Sequence, residues 1–148
     1  MAASRQRTKN RSPGGSFVAV PKQVLESSEY ALLSSHEVKL LMDLLTQYNG
    51  KNNGDLTAAW SVMKVRGWKS KGTLNRAVKG LLQSSFILKT RQGGKHKASL
   101  YAVTFRAIDE CKGKIEVKAT VTALNSWKMK NRFATPDKGQ CTPYEGQL

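Results

Sequence analysis

Two apolar stripes at helical spacing, separated by a segment dense in Asn and Gly, leave this chain few ways to fold. The first stripe follows Ser34 and Glu37, which stand at capping-box spacing, and runs through Val38, Leu41, Met42, Leu45 and Tyr48. That pattern predicts a helix from about Ser35 to Tyr48. The next segment, NGKNNGDLTA, supplies the positive-φ residues that a chain reversal requires and ends it. In the second stripe Leu74, Val78, Leu81 and Leu82 share one helix face behind Ser70 as N-cap, which predicts a helix over 70–82.

The intervening residues are readable in the same way. Leu56 begins a short strand, Thr57 caps a helix through Trp60, Met63 and Lys64, and Gly67 with Trp68 marks the turn into the second stripe. After Ser84 and Ser85, the runs FILKTR and ASLYAVTF flank RQGGKHK, predicting a hairpin that turns around Gly93 and Gly94. Phe17 to Leu33 reads as an extended start, Pro21 at a helix beginning, then one or two short helices with Val24, Leu25, Tyr30, Leu32 and Leu33 inward. The expected fold class is α+β, mainly α, in the order of a winged helix-turn-helix with a C-terminal β-hairpin wing. Its expected organisation is a disordered basic arm over 1–15, the winged domain over 16–109 and a partly ordered basic tail over 110–148. Within that tail Trp127 and Phe133 are too sparse for a core of their own, and either cover the domain or meet a second subunit.

Charge adds a functional constraint. Between Asp55 and Asp109 lie 53 residues with no Asp or Glu and 11 Lys or Arg. The net charge of +15 divides into +4 for the arm, +8 for the middle and +3 for the tail. A one-signed surface repels itself unless a partner neutralises it, so a polyanion is expected. On the helix after Ser70, burial of the apolar stripe leaves Lys71, Asn75 and Lys79 on an outward line with Thr73 and Arg76 beside it. Arg76 suits bidentate pairing with guanine and Asn75 with adenine, while Lys69, Ser70 and Thr73 suit flanking phosphates. In the hairpin, Arg91, Lys95, His96 and Lys97 form a basic tip suited to backbone or minor groove. Arg5, Arg7, Lys9 and Arg11 extend the expected contacts into the arm. Trp60 and Tyr101 fall on inward positions, and Trp68 is expected to wedge the helix turn more than to meet DNA.

Other chemistries find little support. Cys111 and Cys141 stand thirty residues apart with no metal-ligand spacing, and no carboxylate or cysteine is placed about His36 or His96 so as to suggest a triad or zinc site. Phosphate-loop and dinucleotide fingerprints do not occur. No catalytic residue, cofactor or metal is assigned, and the chain is expected not to be an enzyme. It shows no apolar stretch of membrane-spanning length and no apolar region after its basic N-terminus, so no membrane partner and a cytoplasmic location are expected.

QYNGKNNGDL, RGWKSKGTL and TRQGGKHKASLYAVT also carry a resemblance. The stretch from FVAVPKQVL through YAVTFRAIDECKGK is similar to small winged helix-turn-helix proteins of proteobacterial chromosomes, prophages and integrative elements, and more distantly to winged-helix domains of plasmid and phage replication initiators. The resemblance implies duplex DNA contact in a bacterial, nucleoid-associated setting, a recognition helix over 70–82 and a wing centred on Gly93 and Gly94. Transcriptional regulation or an accessory role in a mobile element is the leading expectation. The alternatives are a non-sequence-specific or initiator-like nucleic-acid binder, and an interaction protein that turns its basic face to an acidic protein. A homodimer reading two half-sites is left open.

Overall fold

The computed structural model describes residues 14–128; Arg5, Arg7, Lys9 and Arg11, together with Phe133 and Cys141, lie outside the described residues. The fold is α+β, with short and long helices around a three-stranded antiparallel sheet. In chain order these are α1 (Lys22–Leu25), α2 (Ser28–Ala31), α3 (Ser35–Leu45), β1 (Leu56–Thr57), α4 (Trp60–Met63), α5 (Lys71–Gln83), β2 (Ile87–Arg91) and β3 (Leu100–Val103). A 3-10 turn over Lys64–Arg66 continues α4, and another spans Cys111–Gly113.

Helix α3 is the central strut. Its capping box forms: Ser34 Oγ accepts from the Glu37 N–H at 3.3 Å, and Glu37 Oε2 accepts from the Ser34 N–H at 2.9 Å. The helix ends at Leu45, short of the expected Tyr48, because the Gln47 and Tyr48 N–H groups reach back only three residues, to Leu44 and Leu45. Gln47 then acts as a strand partner: its amide donates to the Thr57 carbonyl and accepts from the Thr57 N–H, both at 2.9 Å. Leu40, Leu41, Leu44 and Leu45 are all fully buried, a wider face than the predicted stripe, because α5 covers one side and the sheet region the other.

Helix α5 packs on α3. Ser70 caps it, accepting from the Thr73 N–H at 3.3 Å. Leu74, Ala77 and Leu81 are buried, whereas Val78 and Leu82, expected inward, are half-buried at the edge of the core. Ala77 is buried on the α5 face that joins the core, a small residue where a larger side chain would need room. At Gly80 an added Cβ would stand 1.9 Å from Glu37 Oε1, so the Glu37 side chain would have to move. Between α4 and α5, Gly67 adopts φ +91°, a left-handed conformation costing an L-residue about 1–2 kcal/mol. Nothing stands within 4 Å of a Cβ built there. Gly67→Ala is therefore expected to lower stability by about 1–2 kcal/mol through backbone strain alone, seen as a lower urea midpoint with unchanged slope.

The sheet runs in the order β1-β3-β2, with Leu56 opposite Tyr101 and Ile87 opposite Val103. All four residues of β3 are buried. An irregularity between Lys89 and Arg91 leaves Thr90 as an extra residue. Its hydroxyl donates inward to the Gly54 carbonyl, and its own carbonyl accepts from the Glu116 N–H at 2.7 Å. The hairpin forms, but its turn is displaced from the expected centre at Gly93 and Gly94. Gly94 and Lys97 pair in both directions, at 2.9 and 3.3 Å, so Lys95 and His96 make the tip. Gly93 stands on the ascending arm, where a Cβ would meet the Ser99 backbone nitrogen at 2.6 Å.

Both ends of the described chain fold back onto this frame. Val24 is buried, but Leu25 and Leu32, expected inward, are 43% and 85% exposed, because helices of a single turn bury only one side. Beyond Asp109, the Thr120 N–H donates to Ile108 and the Asn125 N–H to Thr104, at 2.9 and 2.7 Å. Trp127 is buried in the core and stacks on Phe86 with ring centroids 5.8 Å apart. Residues 110–128 are therefore tied to this frame at a few points, and Trp127 packs on Phe86 of its own chain.

Candidate nucleic-acid interface

The α4 to α5 turn is held from beneath by a carboxylate. Asp43, on the buried side of α3, accepts from Trp68 Nε1 at 2.8 Å, Lys39 Nζ at 2.9 Å and Arg66 Nε at 3.1 Å. Burial pushes this carboxyl up, and the hydrogen bonds from Lys39, Trp68 and Arg66 outweigh that and hold it below the ordinary aspartate range. Lys39 also donates to the Arg66 carbonyl at 2.8 Å. Trp68 is thereby a wedge in the turn, 5% exposed, with its polar edge satisfied. This cluster sets the direction in which α5 leaves the turn.

From there the predicted residues separate by role. Lys69, Ser70, Lys71, Asn75, Arg76 and Lys79 are exposed, and Thr73 is half-buried. Asn75 and Lys79 border a groove of about 430 Å³ between α5 and the hairpin, whose other walls include Trp60, Lys89, Ser99 and Tyr101. Arg76 lies on the opposite flank, beside a smaller groove that it shares with Thr73, His36 and Glu37, and its guanidinium donates to Thr73 Oγ1 at 3.3 Å. The crest of α5 is thus bounded by two grooves, one basic and aromatic, the other with an acidic wall.

On the hairpin, Lys95, His96 and Lys97 are exposed at the tip. Arg91 differs from them. It is half-buried, and its guanidinium donates to the Ala98 carbonyl at 2.9 Å, so it braces the two arms. Among the described residues, ion pairs engage Lys22, Lys39, Arg66 and Lys114, and none involves Lys69, Lys71, Arg76, Lys79, Lys95 or Lys97. Sequence alone does not single out Lys89, because strand position does not say that it turns toward α5. It lines the groove beside α5 and donates to Gln92 Oε1 at 3.1 Å.

Among the described residues no group of three or more His, Cys, Asp or Glu is gathered in the manner of metal ligands, and no helix is long and apolar enough to cross a membrane. No family model, curated protein or solved structure matches this chain.

Proposed function

We propose that the chain is a winged helix-turn-helix protein that binds duplex DNA, with α4 and α5 as the helix-turn-helix and the β2–β3 hairpin as the wing. The carrying observation is the exposed basic crest of α5 and the exposed basic hairpin tip, whose lysines and Arg76 form no ion pair among the described residues and which stand on a stretch of 53 residues without a carboxylate. Helix α5 enters the major groove, where Asn75 and Arg76 reach base edges. Lys69, Ser70, Lys71, Thr73 and Lys79 take phosphates, and Lys95, His96 and Lys97 lie on the backbone or in the minor groove. Arg91 supports the wing from within. In this reading the protein is a transcriptional regulator or a mobile-element accessory factor, acting on DNA in the bacterial cytoplasm.

The test is selection from a pool of random duplexes at about 0.15 M salt, where sequence-independent contacts are already weakened. An enriched motif is expected, and Arg76→Ala is expected to lower affinity for it by about 1–3 kcal/mol and to relax preference at one position. Lys79→Ala should weaken all duplexes alike and reduce the dependence on salt by about one counterion. A symmetric motif would report a dimer. Binding without enrichment would replace sequence reading by general nucleic-acid binding, and no binding at low salt would redirect the basic face to an acidic protein.

A further inference from the structure

The groove of about 430 Å³ between α5 and the hairpin joins two kinds of surface. Lys79 on α5 and Lys89 on β2 line it, and no carboxylate does. Lys89 stands opposite Tyr101 in the β2–β3 ladder, so the two side chains share one sheet face. The rest of the lining is largely apolar. Tyr101 is 7% exposed, while Trp60 and Val78 are half-buried and pack against the core as well as bordering the groove. The side chains of Asn75 and Lys79 have no hydrogen bond or ion pair among the described residues, which leaves them free for an occupant.

A paired DNA strand matches only part of this lining. It keeps its bases inside the duplex and offers sugar and phosphate outward, which suits the two lysines but leaves the indole and the aliphatic groups against water. An unpaired nucleotide brings an anion and a flat ring together, and meets both. The volume lies within the range of about 300–1,000 Å³ typical of clefts that hold one small ligand. Position then selects the source of the nucleotide. The groove runs between the two elements assigned to duplex DNA, so a strand leaving the duplex there arrives at an effective concentration far above that of a free nucleotide.

We infer that this groove receives an unpaired nucleotide at a duplex end or junction, its base against Trp60 and its phosphate on Lys79 and Lys89. Asn75 at the rim offers a donor and an acceptor to the edge of the base. The inference rests on the duplex-binding reading and narrows its substrate to duplex DNA with a single-stranded extension. Every base has a π-face, so the extension is accepted with little regard to its sequence.

The full chain is titrated at one salt concentration with a blunt duplex, with the same duplex carrying a short unpaired tail at its 3′ or 5′ end, and with tails of equal length made of abasic nucleotides. A normal tail at one of the two ends is expected to tighten binding about five- to a hundredfold over the blunt duplex, the range that stacking of one base on an aromatic side chain supplies. The abasic tail keeps the phosphates and lacks the rings, and is expected to gain no more than about twofold. Trp60→Leu retains an apolar group beside the core and is expected to bring the ratio of tailed to blunt affinity close to one, and Lys89→Gln to lower that ratio severalfold. The abasic comparison is made on wild type, so it decides even if Trp60→Leu fails to fold. Equal binding of blunt and tailed duplexes, an equal gain from the abasic tail, or a ratio that a folded Trp60→Leu protein leaves intact overturns the unpaired nucleotide while duplex binding stands. A tail strand bound alone as tightly as the tailed duplex keeps the nucleotide in the groove and overturns the duplex reading. No binding of any of these DNAs overturns both.

Discussion

Asn53→Ala is expected to lower stability by about 3 kcal/mol or more, the largest effect of any single polar truncation in this fold. Asn53 is 0% exposed. Its Nδ2 donates to the Val103 carbonyl at 3.0 Å and the Ala107 carbonyl at 2.8 Å, with a longer contact of 3.3 Å to Arg106, while Oδ1 accepts from the Val103 N–H at 2.9 Å. Its own N–H donates to Asp109 Oδ2 at 2.8 Å. One side chain thus closes the end of β3 and the reversal beyond it. Alanine leaves several buried backbone groups without partners, each costing about 1–3 kcal/mol if water does not reach it. Asn53→Asp is a sharper control, because it keeps Oδ1 for Val103 but turns a second oxygen toward three carbonyls. Urea denaturation should place it at or below the alanine variant.

The second large effect belongs to Asp43. Asp43→Ala strands the Trp68 N–H, and a loss of about 2–3 kcal/mol is expected. Lys39 and Arg66 soften the damage, since their side chains are 41% and 36% exposed and can be rehydrated. Asp43→Asn retains an acceptor and should lose less. The pH dependence has a definite sign. The folded carboxyl titrates below its unfolded counterpart, so its contribution is fully present above the ordinary aspartate range and is lost as pH falls through the depressed value. Wild type should therefore converge on Asp43→Asn in acid and separate from it toward neutrality, as read by denaturation midpoints across that range. If duplex binding holds, Asp43→Ala should also weaken it under conditions where the protein remains folded, since α5 would lose the support of its turn.

These two side chains also show where the reach of sequence ends. Helices at Ser34–Glu37 and Ser70, the Gly67 turn and the hairpin are legible because caps, periodicity and β-branched runs act within a few residues. Asn53 stands in a segment where every Asn reads equally well as a turn former, and its partners lie 50 or more residues away. Asp43 carries a weak signal, a carboxylate among Leu40, Leu41, Leu44 and Leu45, but nothing local names Trp68 as its reason. Leu25 and Leu32 mislead in the opposite direction, since apolar identity without helical length does not secure burial. The outward residues of α5 follow directly from its stripe. The role of Arg91 does not, because Ala98 reaches it only through the hairpin's register.

That register limits how the hairpin can change length. Thr90 is one residue more than the opposite strand offers, and it separates Lys89, facing α5, from Arg91, clasping Ala98. Side chains alternate along a strand, so removing or adding one residue in either arm would invert every position between there and the tip. Changes in pairs beyond Arg91 preserve the alternation. Natural drift in this hairpin should therefore come in even steps near Lys95 and His96, making its length a parity-conserved character rather than a freely varying one.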